Sequence, residues 1–308
     1  MTGHFLTLVW NPSEGIDLGF FIIRYYSLMF VIAFGLGWYL MKKIFIRENE
    51  PLEKLDSLFV YTVLATLIGA RMGHVLFYQP ELFREDFWSV FLPIRTKPEL
   101  EFTGFSGLAS HGAAIAIIIT MYYFSKKVMK QSLLWILDRV VIPIACGGIF
   151  VRIGNFMNSE ILGKETSSYF GIKFIHDALS KRDVVNQTQI PNYKEAYKAI
   201  AENPQYANIL EIIPAKHPAQ LYEAFGYVIV FFILYYLYWK TNARLKQGYI
   251  FGVFLILLWS VRFIVEFIKE SQGGFESSFG GILTTGQWLS IPFILAGIFL
   301  VARAKKTI

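Results

Sequence analysis

LLWILDRVVIPIACGGIFVRIGNF, residues 133–156, decides the fold. A helix needs about 20 apolar residues to cross a bilayer, and this run has that length. Its charges stand toward its ends: Asp138 and Arg139 near one, Arg152 near the other. Six further segments resemble it, at 20–41, 57–78, 108–125, 219–239, 248–268 and 286–303. They must be helices, because lipid offers no partner to a backbone amide and the segments lack the alternation of barrel strands. Composition agrees: 55% of the 308 residues are hydrophobic and 17% charged, where a soluble domain carries about a quarter charged. The expected fold class is an all-α integral membrane protein with about seven transmembrane helices.

Basic residues set the expected orientation. Thirteen of them, Lys42, Lys43, Arg47, Lys54, Lys126, Lys127, Lys130, Lys240, Arg244, Lys246, Arg303, Lys305 and Lys306, fall on one side. The short links on the other side hold four, Arg84, Arg95, Lys97 and Lys269. That contrast puts the C-terminal tail in the cytoplasm and the N-terminus outside. The net charge of +6 follows from this topology, so nucleic-acid binding need not be invoked. The first nineteen residues hold no Lys or Arg, so a cleaved signal peptide is not expected. Three regions are expected: residues 1–156 with four membrane helices, an external head at 157–216, and residues 217–308 with three more helices. Within the head, YKEAYKAIAE at 193–202 reads as a short amphipathic helix after Pro191, ended by Asn203-Pro204.

Ionisable residues inside a membrane are functional candidates by default, and here they gather at one depth. Arg24 and Tyr26 begin the first segment; Arg71 and His74 lie in the outer half of the second; Ser110 and His111 begin the third. Arg152, Asn155, Asn158 and Glu160 close the fourth, and His217, Gln220 and Glu223 open the fifth. Arg262 and Glu266 lie near the outer end of the sixth, and Gln287 opens the seventh. Arg152 and Asn155 share a helix face, as do Arg262 and Glu266, a spacing that also suits a local salt bridge. Two deep arginines, planar and bidentate donors, point to an oxyanion such as phosphate. His111 sits among glycines and small residues, where a ligand can approach the backbone closely. His74 reads as an interface histidine. No metal site is expected, because the histidines are scattered and lack ligand spacing or partner cysteines. The lone Cys146 reads as a small buried hydrophobe.

These residues resemble a family. VRIGNFMNSEILG at 151–163 is similar to the signature of bacterial prolipoprotein diacylglyceryl transferases, with Val151 and Ser159 where glycines are usual. RYYSLM at 24–29, GARMGHVLFY at 69–78, SHG at 110–112, HPAQLYE at 217–223, RFIVEF at 262–267 and GQWLSIP at 286–292 follow in the family's order. The resemblance covers nearly the whole chain except about 83–102 and 170–213. It implies transfer of the diacylglyceryl group of phosphatidylglycerol to the lipobox cysteine of a preprolipoprotein signal peptide, with release of glycerol-1-phosphate. It implies location in the bacterial inner membrane and no metal or cofactor. His111, Arg152 and Arg262 are then the catalytic candidates. Tyr26, Asn155, Asn158, Glu160, Glu223 and Glu266, with both arginines, are the substrate-binding candidates. A transporter of an anionic lipid or solute needs polar groups through both membrane halves, and the inner half is nearly bare. A non-catalytic assembly factor gives no reason for two deep arginines beside a histidine.

Overall fold

A computed structural model describes residues 8–19, 22–92, 94–96, 99–102, 107, 109–270 and 282–305, with the side chains of 101, 102, 110 and 111 outside the description. Among these residues, six helices are long and apolar enough to cross a membrane: α1 (Tyr25–Arg47), α2 (Leu52–Tyr78), α5 (Ser110–Phe124) with the π-turn that extends it to Met129, α6 (Leu133–Met157), α11 (Ala219–Lys240) and α13 (Thr285–Arg303). α12 (Tyr249–Val265) is apolar but has only 17 residues, about 26 Å at 1.5 Å per residue. The first expected segment begins too early. Residues Ile22–Arg24 form strand β3, paired antiparallel with β2 (Gly15–Asp17), and the helix starts only at Tyr25.

The chain divides into two compact units. The unit of residues 38–139 contains all of α2 and α5. Gly69, Gly73 and Gly112 let these two helices meet backbone to backbone: a Cβ at Gly73 would fall 2.6 Å from the Gly112 Cα. Such small-residue contacts are how membrane helices approach without a hydrophobic driving force. Between them run α3 (Leu82–Glu85), α4 (Phe87–Phe91) and the paired strands β4 (Ile94–Arg95) and β5 (Glu101–Phe102). Asp86 caps α4 and accepts from the Ser89 and Thr96 hydroxyls. Arg71 donates to the carbonyls of Ser89, Val90 and Gly107. At the other end, buried Arg139 pairs with Glu48 at 3.0 Å and stacks on Trp135.

The second unit holds residues 1–37 and 140–308. Pro143 sits inside α6, a position that membrane helices accommodate when neighbours satisfy the freed carbonyl. α12 and α13 pack through Gly252 and Gly297, and Trp259 stacks on Phe293 at 4.2 Å. The connection from α6 to α11 folds into β6 (Ile172–Phe174), α7 (Ile175–Ala178), α8 (Lys181–Thr188), α9 (Tyr193–Glu202), α10 (Ala207–Ile212) and β7 (Ala215–Lys216). α9 has the expected bounds, capped by Asn192 and stopped at Asn203. Ile175, Val184, Ala196 and Ile200 form its buried core. β1 (Leu8–Trp10) adds to β6 in parallel, and β7 to β6 antiparallel. Cys146 is buried, as expected.

Candidate functional site

The polar cluster is built at the end of α6. That helix stops in a Schellman motif: Glu160 N–H bonds the Asn155 carbonyl at 2.9 Å and Ser159 N–H bonds that of Phe156 at 3.1 Å. This closure needs a left-handed residue after the helix, and Ser159 supplies it with φ 55°. Ile161 follows with φ 60°, a strained choice for a β-branched residue. The two kinks bracket Glu160 and turn its carboxylate back on the helix. There its oxygens accept from Asn155 Nδ2 at 3.3 Å and Asn158 Nδ2 at 3.1 Å. Local strain of this kind collects at functional sites. The Ser159 hydroxyl is buried without a hydrogen-bond partner among the described residues. Ser159→Gly, which removes both the orphan hydroxyl and the left-handed penalty, is expected to stabilise the protein by about 1 kcal/mol. A raised thermal midpoint with unchanged turnover is the outcome to look for.

Arg152 lies one turn before this motif. Its Nε is 2.5 Å from Glu223 Oε2 and its Nη1 donates to Asn155 Oδ1 at 3.4 Å. Its guanidinium also faces the Tyr227 ring. The sequence places no acid one turn from Arg152, yet α11 brings Glu223, only 1% exposed, against it. Gln220, on the same helix, donates to the Glu160 carbonyl. Tyr26 reaches the cluster from α1. Its hydroxyl lies within hydrogen-bonding range of Asn155, and its ring covers Gly154, where a Cβ would come within 2.9 Å of it.

α12 contributes differently from the spacing expectation. Glu266 does not pair with Arg262; its nearest charged partner is Lys269 at 3.6 Å. The two residues do share a face, since Glu266 keeps helical dihedrals and its N–H bonds the Arg262 carbonyl at 3.0 Å, but their side chains form no ion pair. Glu266 lies against the first turn of α13, where a Cβ on Gly286 would fall 2.4 Å from its carboxyl carbon. Arg262 faces the Trp259 ring, and its Nε is buried without a hydrogen-bond partner among the described residues. Such a donor can serve an oxygen that a substrate brings. Gln287 is structural: it completes a capping box with Thr284 and donates to the Phe263 carbonyl.

The loop after Glu160 ties these parts together. Gly163 N–H bonds the His217 carbonyl, Lys164 N–H that of Ile268 at 2.7 Å, and Lys164 Nζ that of Phe267 at 2.9 Å. Trp10 adds a strap from the N-terminal strand, donating to the Phe156 carbonyl at 3.0 Å. Tyr26, Asn155, Asn158, Glu160, Glu223, Glu266 and the two arginines thus belong to one unit of the fold. Residues 110–111 open α5 in the other unit, and the His111 side chain lies outside the described residues. Arg71 is occupied by carbonyls, and His74 is bonded to Gln79 and stacked on Tyr78; both act locally. The residue that the sequence reading passed over is Lys269, buried at 6% exposure. Its three-residue spacing from Glu266 was the available signal.

The chain matches the family described as prolipoprotein diacylglyceryl transferase over residues 14–303. It is 34% identical over 300 residues to a phosphatidylglycerol–prolipoprotein diacylglyceryl transferase of Tolumonas auensis, covering 97% of this chain and 98% of that one. A protein of the same name from Porphyromonas gingivalis is 37% identical over 290 residues, 92% of this chain and 89% of the relative. One from Bacteroides fragilis is 33% identical over 304 residues, 98% and 96% respectively. With a match spanning nearly its whole length, and with the family's signature forming the strained, charged end of α6, this chain belongs to the prolipoprotein diacylglyceryl transferase family.

Proposed function

We infer that the protein is a transferase that moves the diacylglyceryl group of phosphatidylglycerol to the lipobox cysteine of preprolipoproteins, the first step of lipoprotein maturation. The observation that carries this is the full-length family match joined to a buried pair of arginines, one with a donor still unmatched. In the reaction, the cysteine thiol loses its proton and its sulfur attacks the glyceryl carbon bearing the phosphate. A C–S bond forms as the C–O bond breaks, and the electron pair leaves on glycerol-1-phosphate. Charge therefore grows on phosphate oxygens, where preorganised cationic donors stabilise it; Arg152 and Arg262 take this role. A thiol with a reference pKa of about 8.5 needs a proton acceptor at neutral pH, the role given to His111. Tyr26, Asn155, Asn158, Glu160, Glu223 and Glu266 hold the headgroup and the arginines in place. The reaction as written calls for neither metal nor cofactor.

α12 completes a seventh span in this reading, since 17 residues are at the lower limit of about 17–25 for a membrane helix. The N-terminus and the 157–216 region lie outside the bacterial inner membrane, and the tail lies in the cytoplasm. Cysteines placed at Asn186 and Asn242 in a Cys146→Ala background should react with an impermeant thiol reagent from opposite sides. Labelling of both from one side overturns the topology. The activity is tested with purified protein, phosphatidylglycerol micelles and a lipobox peptide. A mass increase of one diacylglyceryl group with stoichiometric glycerol-1-phosphate is expected. Absence of both products removes this reading.

A further inference from the structure

Lys269 is, among the described residues, a buried cation near the cluster that no role yet claims. It is 6% exposed, and burial pushes its ammonium below the ordinary lysine range while Glu223 and Glu266 pull the other way. The positive charges of Arg262 and Arg152 add to the depression. Its recorded partner among the described residues is Glu266, at 3.6 Å. A direct charge-assisted N–H···O bond measures about 2.7–2.9 Å, so the ammonium keeps donors for a closer oxygen. An incompletely paired buried cation is costly, and such groups concentrate at functional sites.

Its position is also fixed rather than incidental. Lys269 forms a backbone bridge with Gly163, and Glu270 N–H bonds the Leu162 carbonyl at 3.1 Å. A Cβ on Gly163 would collide with His217 and with the Ile268 carbonyl. The loop that leaves Glu160 therefore holds the turn that carries Lys269. Behind it, Glu270 and Asp177 both pair with Lys216 at 2.8 Å. The charges of the cluster complete the case. Glu160 is taken by two asparagine amides and Glu223 by Arg152, while Glu266 is backed by Gly286. Three carboxylates balance three cations, and the Lys269–Glu266 pair at 3.6 Å is longer than the Arg152–Glu223 pair at 2.5 Å, so a phosphate that gains a second negative charge on leaving can draw the Lys269 ammonium toward it.

We propose that Lys269 is the third cation of the anion pocket, its ammonium contacting the phosphate oxygens of the glycerophosphate headgroup beside Arg152 and Arg262. The proposal rests on the diacylglyceryl-transfer reading. The rival role is structural: Lys269 only neutralises Glu266. Binding of glycerol-1-phosphate to the purified protein in neutral detergent separates the two. Lys269→Met should weaken binding by at least ~10-fold, the scale of one charge-assisted hydrogen bond, while Lys269→Arg stays near wild type. The double variant Lys269→Met, Glu266→Gln should remain weak, because no acid then needs neutralising and the phosphate contact is still missing. Wild-type binding by Lys269→Met, or recovery in the double variant, overturns the proposal.

A second measurement needs no variant. Modification of Lys269 by an amine reagent, read by mass spectrometry on the native protein, should be slowed by glycerol-1-phosphate and by phosphatidylglycerol micelles, but not by glycerol. Protection by the free phosphate alone would overturn the lipid-headgroup assignment, and no protection by either would overturn the site. Activity of the wild-type protein on a lipobox peptide is scored separately, so failure of the Lys269 contact and failure of the transferase reading give different results.

Discussion

Arg152→Lys is expected to lower turnover by about 100-fold in a protein that still folds. The guanidinium spans Glu223 at 2.5 Å through Nε and Asn155 Oδ1 at 3.4 Å through Nη1, and it also hydrogen-bonds Tyr227. A lysine ammonium is a point charge on a flexible stem and cannot hold those directions together. It can keep the ion pair with Glu223, so the buried carboxylate is not stranded and the fold survives. What disappears is the planar presentation of the remaining donors to the leaving phosphate. A contact to the charged phosphate, about 1.5–3 kcal/mol, is lost together with the neutral one to Asn155, about 0.5–1.5 kcal/mol, and a total of about 3 kcal/mol is about 100-fold in rate. Arg262→Lys should cost less, at least ~10-fold, because no carboxylate sits at ion-pair distance from it among the described residues. Steady-state rates on a lipobox peptide, with thermal midpoints alongside, check both. Near-normal turnover in both lysine variants would mean that the arginines serve helix packing.

The contrast between these two arginines shows what could be read from the sequence. Membrane helices announce themselves by length and apolar content, so α2, α6, α11 and α13 lie close to their expected places. Boundaries fail where apolar residues serve another structure. Ile22 and Ile23 are as apolar as the helix that follows, but they pair with Ile16 and Asp17 in a hairpin. The apolar run at the end of α12 continues past Val265, yet the chain must turn there to bond the loop at 162–164. Within the site, same-face spacing found Arg152 with Asn155, since both lie on one uninterrupted helix. Arg262 and Glu266 share a face as well, joined by the Glu266 N–H to the Arg262 carbonyl at 3.0 Å, but a shared face did not make them an ion pair, and Glu266 pairs with Lys269 instead. The Arg152–Glu223 pair joins α6 to α11; no local period encodes a contact between separate helices. Ser159 was read only as a departure from the family signature; its left-handed backbone, with φ 55°, is what closes α6.

His111→Gln should keep the fold and lipid binding yet lose turnover by roughly 100-fold or more, the usual scale for general-base catalysis. His111 opens α5, and the backbone there is held tightly: Gly112 packs against Gly69 and Gly73, and Ala109 N–H bonds the Ala70 carbonyl at 2.9 Å. A residue set on so fixed a helix start can be aimed without flexible linkage. Glutamine preserves the polarity and much of the size of imidazole but cannot accept a proton near neutral pH, so it separates base chemistry from positioning. The discriminating variable is pH. Below the thiol pKa of about 8.5, the substrate depends on the base for its thiolate; as pH approaches that value it ionises unaided. The deficit of His111→Gln relative to wild type should therefore shrink steadily from pH 6 to pH 9 on one lipobox peptide. A deficit that stays constant across this range would make His111 a positioning residue and shift the base role to Glu160 or Glu266. Of these two, Glu160 is tied to Asn155 and Asn158, while the ion-pair partner of Glu266 among the described residues is Lys269 at the looser 3.6 Å, so Glu266→Gln would then be the variant whose deficit falls with rising pH.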